Sequence, residues 1–79
     1  MRDGELNYRK VIGKRVRIER VWRALSQDEL AHEAGVTRNF VSAIERGAQG
    51  LDAYRLGLIA KALGIKFEDL MATDDRRLR

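Results

Sequence analysis

Apolar residues along this 79-residue chain recur at the spacing of amphipathic helices. Three of them step by four residues: Tyr8, Ile12 and Val16. This spacing predicts a first helix from about Tyr8 to Arg23. A second apolar set lies beside the first: Val11, Ile18 and Trp22. Two apolar stripes are more than one core face needs.

A second helix is predicted to begin after Ser26. Glu29, three residues later, completes a capping box, in which each residue binds the backbone N–H of the other. Gly35, followed by Val36, favours a left-handed stop, so this helix has about two turns. Its inward face is predicted to hold Leu30, Ala31 and Ala34.

The remaining helices are predicted from their caps and glycines. Thr37 begins a third helix that runs to about Arg46, before Gly47. Asp52 begins a fourth helix, whose apolar positions recur until Gly64: Leu56, Ile59, Ala60 and Leu63. A final short helix is predicted at Phe67–Met71, although it lacks a Ser or Thr cap because Lys66 precedes it.

Length and composition indicate one small domain spanning residues 1–79, with an ordered core at about 8–71 and loose termini. The absence of cysteine excludes disulfides and thiolate metal sites. No apolar run reaches the length of a membrane span and the N-terminus lacks a signal-peptide pattern, so we expect a cytoplasmic protein. With His32 as its one histidine, the chain is not expected to be an enzyme or to need a cofactor or metal.

Charge changes this picture in one respect. The net charge is +4, and 12 of the 16 basic residues are arginines, which suit forked contacts with phosphate and guanine. Residues 1–23 hold eight basic and three acidic groups. The basic excess therefore lies in the first helix, where it can flank a phosphate backbone.

The second and third helices carry the pattern of a helix-turn-helix from about Gln27 to Arg46. This motif needs a small residue at the crossing, a turn that tolerates positive φ and apolar anchors on the later helix. Ala31, Gly35 and the pair Val41 and Ile44 stand in that order.

The stretch SQDELAHEAGVTRNFVSAIERG, followed by LIAKALGIKFEDL, resembles the Cro/CI-type (XRE) helix-turn-helix family over about residues 12–71. The segment VTRNFVSAIERG also resembles the recognition helix of restriction-modification controller proteins, which are stand-alone dimers. The resemblance implies an all-α, five-helix, lambda-repressor-like fold and a sequence-specific transcriptional regulator of double-stranded DNA.

The resemblance also implies base contacts on the third helix, at Arg38, Asn39, Ser42 and Ala43. Helical geometry agrees, because Asn39, Ser42 and Ala43 face away from the buried side that Val41 and Ile44 mark, and Arg38 stands at the exposed N-terminal edge. Arginine can bind guanine and asparagine can bind adenine in the major groove. The alternative is that Arg38 and Asn39 form an ordinary solvated first turn.

DNA-backbone contacts are implied at Gln27, Thr37, Arg46 and Gln49, and a structural ion pair between Arg20 and Glu45. Gln27 has the alternative of being an ordinary first helical residue.

Two positions in or next to the first helix depart from the family. Glu19 stands where leucine is usual, and Ala24 stands where glycine usually ends the first helix. Three interpretations stay open: a rotated first helix, a protein partner at Ile18 and Trp22, or, slightly favoured, a Trp22 that partly covers its own core.

One recognition helix reads few base pairs, so we expect a homodimer on a palindromic operator, with half-sites about 34 Å apart. Interface candidates are Phe67, Leu70 and Met71, for which an intramolecular core role is an equal alternative. The competing function is an antitoxin or adaptor that uses this scaffold to bind protein. An antitoxin usually carries an extra wrapping segment, and only residues 72–79 are available for one.

Overall fold

The computed structural model describes residues 3–72, apart from the side chain of Asp3, and in this range the chain forms five α-helices. Their bounds are α1 Asp3–Trp22, α2 Gln27–Ala34, α3 Arg38–Glu45, α4 Ala53–Leu63 and α5 Phe67–Leu70. The predicted all-α, five-helix fold is confirmed. Within the described range, no helix combines the length and apolar character that a membrane crossing requires.

One hydrophobic core joins all five helices. Helix α1 contributes Ile12 and Val16, both fully buried. The inward faces predicted for α2 and α4 are also buried. The remaining core residues are Phe40, Val41 and Ile44 from α3 and Leu70 from α5.

Side-chain caps begin the three central helices as predicted. Ser26 and Glu29 form the full capping box of α2, and these hydrogen bonds hold the pKa of Glu29 below its usual value. The Thr37 hydroxyl accepts from the Phe40 N–H at the start of α3. Asp52 accepts from the Arg55 backbone and side chain at the start of α4, which lowers the pKa of Asp52.

Helices α1 to α4 end in the same hydrogen-bonded motif. In each, a residue of positive φ donates back three residues and its successor donates back five. This is the Schellman motif, in which glycine is favoured because it has no Cβ. Glycine stands at this position after α2, α3 and α4, whereas Ala24 holds it after α1, at φ 54°.

Replacing Ala24 with glycine should raise the free energy of unfolding by about 0.5–1 kcal/mol. Left-handed alanine costs about 1–2 kcal/mol, part of which is offset by the greater freedom of glycine in the unfolded chain. The measurement is the urea unfolding midpoint. The matched control is Gly35→Ala, at φ 73°, where a Cβ would meet no described atom within 4 Å. Its free energy of unfolding should fall by about 1 kcal/mol, because alanine is strained at positive φ. If the unfolding midpoints of both variants shifted in the same direction, Ala24 would not be strained by its positive φ.

Helix α1 differs from its prediction at its start. It begins at Asp3, not at about Tyr8, and residues 4–7 are exposed. An ion pair between Glu5 and Arg9, one turn apart, supports this extension. The first turn packs against no core, so its residues show no apolar periodicity.

The structure also corrects two expectations for the later part of α1. The slightly favoured interpretation of Trp22 as a cover for its own core is wrong, because 82% of the residue is exposed. The interpretation of a rotated first helix is wrong as well, because Glu19 keeps the inward position at which leucine is usual. Glu19 is 95% buried and binds Arg23, with Oε1 2.7 Å from Nη1, so the charge is neutralised in place.

The C-terminal end of α5 is fixed by a residue that sequence reasoning missed. Arg15 of α1 is buried, and its Nη1 donates to the carbonyls of Asp69, Leu70 and Ala72. A cation suits carbonyls left without helical partners. Lys66 makes no side-chain cap at the start of α5, as its type suggests. The predicted loose tail at 73–79 lies outside the described residues.

Candidate nucleic-acid interface

Helices α2 and α3 form the motif on which the site is built. Gly35, at φ 73°, reverses the chain and Thr37 begins α3 two residues later. Val41 and Ile44 are buried as predicted, and Phe40, which sequence reasoning did not include, is buried with them. Phe40 also lies beneath the Arg55 guanidinium, 3.9 Å from its ring centre, a cation–π contact that ties α3 to α4.

The position of α3 against α1 depends on a close backbone approach at Gly13. A Cβ at this position would overlap the carbonyl oxygen of Ile44 and lie 3.0 Å from that of Glu45. Glycine therefore allows the last turn of α3 to rest directly on α1. This contact fixes the angle at which α3 is presented.

The face of α3 turned from the core carries the predicted base-reading residues. Arg38 and Asn39 are exposed, while Ser42 and Ala43 are half-buried. The Arg38 side chain is 64% exposed and its Nε lies 3.7 Å from Asp28 Oδ1, a loose surface pair. Such pairs contribute about 0–1 kcal/mol, so Arg38 can exchange this partner for another acceptor.

The predicted backbone-contact residues lie at the edges of this face. Arg46, beyond the end of α3, is exposed and donates to the Ser42 hydroxyl, with a distance of 3.0 Å. Thr37 is exposed at the N-cap, and Gln49 is half-buried in the loop that follows α3. The backbone of Lys10 passes this loop: its Cα would lie 3.3 Å from a Cβ at Gly47. The basic helix α1 therefore reaches the loop expected to meet DNA.

Gln27 is joined to the end of α3 by a hydrogen-bond network. Both oxygens of Glu45 accept from Arg20, from Nε at 2.7 Å and from Nη2 at 3.0 Å. Gln27 Nε2 donates to Glu45 Oε1 over 3.1 Å, and Arg20 Nη1 donates to the Leu25 carbonyl. The side chains of Arg20 and Glu45 are only 14% and 5% exposed.

The network has an electrostatic and a geometric consequence. The Glu45 hydrogen bond raises the pKa of Arg20 despite partial desolvation, so the guanidinium stays charged. An amide nitrogen has two N–H groups, and Glu45 accepts only one of those of Gln27. The other is available at the first turn of α2, where the backbone N–H groups favour an anion. The link from Gln27 to Glu45 was not foreseen.

These helices define a helix-turn-helix DNA-binding domain, in which α2 supports α3 and α3 presents polar side chains to solvent. The helix-turn-helix family model HTH_3 matches residues 16–70. The chain therefore belongs to this XRE-type helix-turn-helix family, as the sequence resemblance predicts, and is a DNA-binding transcriptional regulator.

Relatives of known sequence and structure agree. The chain is 36% identical to Control protein C.BamHI of Bacillus amyloliquefaciens over 66 residues, covering 82% of each chain. The restriction-modification controller protein C.AhdI of Aeromonas hydrophila has a TM-score of 0.76 at 32% identity, covering 78% of this chain and 94% of its own.

A hypothetical transcription factor from Neisseria meningitidis is also similar, at 33% identity over 75 residues, which is 95% of this chain and 71% of that protein. The solved structure of the Neisseria factor NHTF gives a TM-score of 0.83 at 34% identity, with 94% and 85% of the two chains covered.

Proposed function

We propose that this protein is a sequence-specific regulator that binds a palindromic operator in double-stranded DNA as a homodimer. The observation that carries the proposal is the outer face of α3, where Arg38 and Asn39 are exposed. Their side chains suit guanine and adenine edges in the major groove, while Ser42 accepts several bases and the Ala43 methyl suits thymine. Similarity to controller proteins supports the same reading.

The DNA backbone is held on both sides of this face. Gln27 donates its remaining amide N–H to one phosphate, supported by the first turn of α2. Thr37, Arg46 and Gln49 bind the backbone near α3. These contacts add affinity for any sequence, whereas the base contacts select one.

A homodimer provides the second recognition helix that selective binding requires. Of the three interface candidates, Leu70 is excluded because it is fully buried in its own core. Phe67 is 41% exposed and Met71 half-buried, so both can contact a second copy beside α5. Whether the protein activates or represses depends on where the operator lies relative to the promoter, and controller proteins do both.

The proposal is tested by selecting bound duplexes from a random DNA pool with purified protein, at low and near-physiological salt. A palindrome that survives the higher salt supports it, as does a dimer mass in light scattering with and without that duplex. Binding that is blind to sequence at both salts would refute sequence-specific regulation. A selected site without symmetry, bound by a monomer, would refute the dimer alone.

Arg38→Ala and Gln27→Ala should separate base reading from backbone binding. Loss of Arg38 should cost about 1–3 kcal/mol on the selected operator and relax the choice of base at one position. Loss of Gln27 should weaken selected and random duplexes alike, because phosphates carry no sequence. Titrations of both duplexes with each variant measure this. Equal losses on both duplexes for both variants would contradict the assigned roles.

A further inference from the structure

A second surface lies on α1, away from the helix-turn-helix. It consists of Lys14, Arg17, Ile18, Val21 and Trp22, which line one groove and are called the basic-aromatic stripe below. Trp22 is 82% exposed and Val21 58%, which are high values for large apolar side chains in a core-forming helix. Exposed apolar groups that adjoin one another mark interaction sites more often than isolated ones do.

The stripe is separate from the faces of α1 that the fold uses. Gly13 and Arg20, seven residues apart, mark the face that packs on α3. Ile12 and Val16 mark the face in the core. The stripe occupies the remaining outer side, so a ligand bound there leaves the recognition helix accessible.

The charge of the stripe is positive. Lys14 and Arg17 are exposed along its edge. The nearest acidic group of α1, Glu19, is buried and already binds Arg23, which lines the adjoining hollow with Ile18 and Trp22. A partner must therefore bring negative charge to meet this edge.

The spacing of the apolar residues indicates the shape of the partner. Ile18, Val21 and Trp22 follow at i, i+3 and i+4, which gives a narrow apolar strip along the helix axis. Such a strip matches the apolar face of a second helix laid beside it. Phosphate of duplex DNA would meet the lysine and arginine but would leave the tryptophan without a favourable contact.

We propose that the basic-aromatic stripe is a docking site for an acidic amphipathic helix of another protein. The apolar face of that helix covers Ile18, Val21 and Trp22, and its carboxylates pair with Lys14 and Arg17. Trp22 is the anchor, because tryptophan dominates such interfaces when it becomes fully covered.

The test uses the full chain and a synthetic amphipathic peptide of about 18 residues, long enough to form a helix, with a leucine stripe and glutamates elsewhere. Because Trp22 is the one tryptophan of the chain, its fluorescence reports the stripe directly. Binding of the peptide should shift the emission of Trp22 to shorter wavelength. Two control peptides are a scrambled sequence and one with lysine in place of each glutamate, and neither should bind.

Variants then locate the binding. Trp22→Ala should lower the affinity for the labelled peptide, measured by fluorescence anisotropy, at least about tenfold. The thermal unfolding midpoint should stay unchanged, because the side chain is exposed. The double variant Lys14→Glu with Arg17→Glu should bind the acidic peptide more weakly and the lysine peptide more tightly than the wild type does. Tyr54→Ala is the matched control, since Tyr54 is 76% exposed on α4, and it should bind as the wild type does.

Three results would overturn the proposal. The first is that the acidic peptide does not bind at Trp22, seen either as no binding or as equal binding by the Trp22→Ala and Tyr54→Ala variants. The second is an emission shift that appears with rising protein concentration and no peptide, which would make a second copy the occupant. The third is a shift with anionic lipid vesicles but not with the peptide. Operator binding by Trp22→Ala should stay normal, so this test is independent of the proposed DNA recognition.

Discussion

Replacing Gly13 with alanine should destabilise this protein by about 3 kcal/mol, although alanine is normally the better helix former by about 1 kcal/mol. The added methyl group would overlap the carbonyl oxygen of Ile44 and crowd that of Glu45. These are backbone atoms in a hydrogen-bonded helix, so neither can rotate away. Relief requires that α1 and α3 separate, which opens the core between them. Urea unfolding measures the loss.

Gly57 provides the matched control, because it also lies inside a helix. No described atom lies within 4 Å of the place where its Cβ would be. Gly57→Ala should therefore gain up to about 1 kcal/mol from helix propensity. Opposite signs for the two variants identify the contact with α3 as the cause. A Gly13→Ala protein as stable as the wild type would show that α1 and α3 do not approach so closely.

Replacing Glu45 with alanine should cost about 3 kcal/mol and also weaken DNA binding. The stability loss arises because Arg20, whose side chain is 14% exposed, keeps its charge but loses both carboxylate oxygens. Gln27 loses the acceptor that orients its amide, so affinity should fall for selected and random duplexes alike. Denaturant unfolding and the two DNA titrations measure these effects.

The exposed pair of Arg9 and Glu5 is the control for charge alone. The Glu5 side chain is 55% exposed, and Glu5→Ala should change stability by at most about 0.5 kcal/mol. A double-mutant cycle of Arg20→Ala and Glu45→Ala should show strong coupling, because the second change removes a charge that the first has already stranded. Additive losses would mean that the two side chains act separately, against the geometry.

Helix ends were the features most accurately predicted, because their signals are local. Ser26 and Glu29 are three residues apart, and Gly35 needs only its own backbone conformation to stop α2. The predicted start of α1 lies several residues too far along the chain, because the first turns of the helix are exposed and lack an apolar pattern. The exposed face of α3 followed from helical periodicity around Val41 and Ile44.

Contacts between distant residues were not predictable in this way. Arg15 binds carbonyls at the end of α5, 54 to 57 residues later in the chain, and an arginine on α1 gives no sign of that partner. From sequence, a core role and an interface role for Leu70 were equal alternatives, and only the packing of the fold places it in the core. The pairing of Arg20 with Glu45 was expected from the family resemblance, whereas the addition of Gln27 to that pair was unforeseen.

The sequence by itself determined the order and approximate ends of the five helices, and with them the helix-turn-helix class, because caps, glycines and apolar periodicity act within a few residues. Tertiary structure decided which of the two apolar stripes of α1 is covered. Ile12 and Val16 are buried, whereas Trp22 is left in solvent beside a neutralised Glu19. The physical reason is that burial depends on which helices pack against a face, and that is a property of the whole fold.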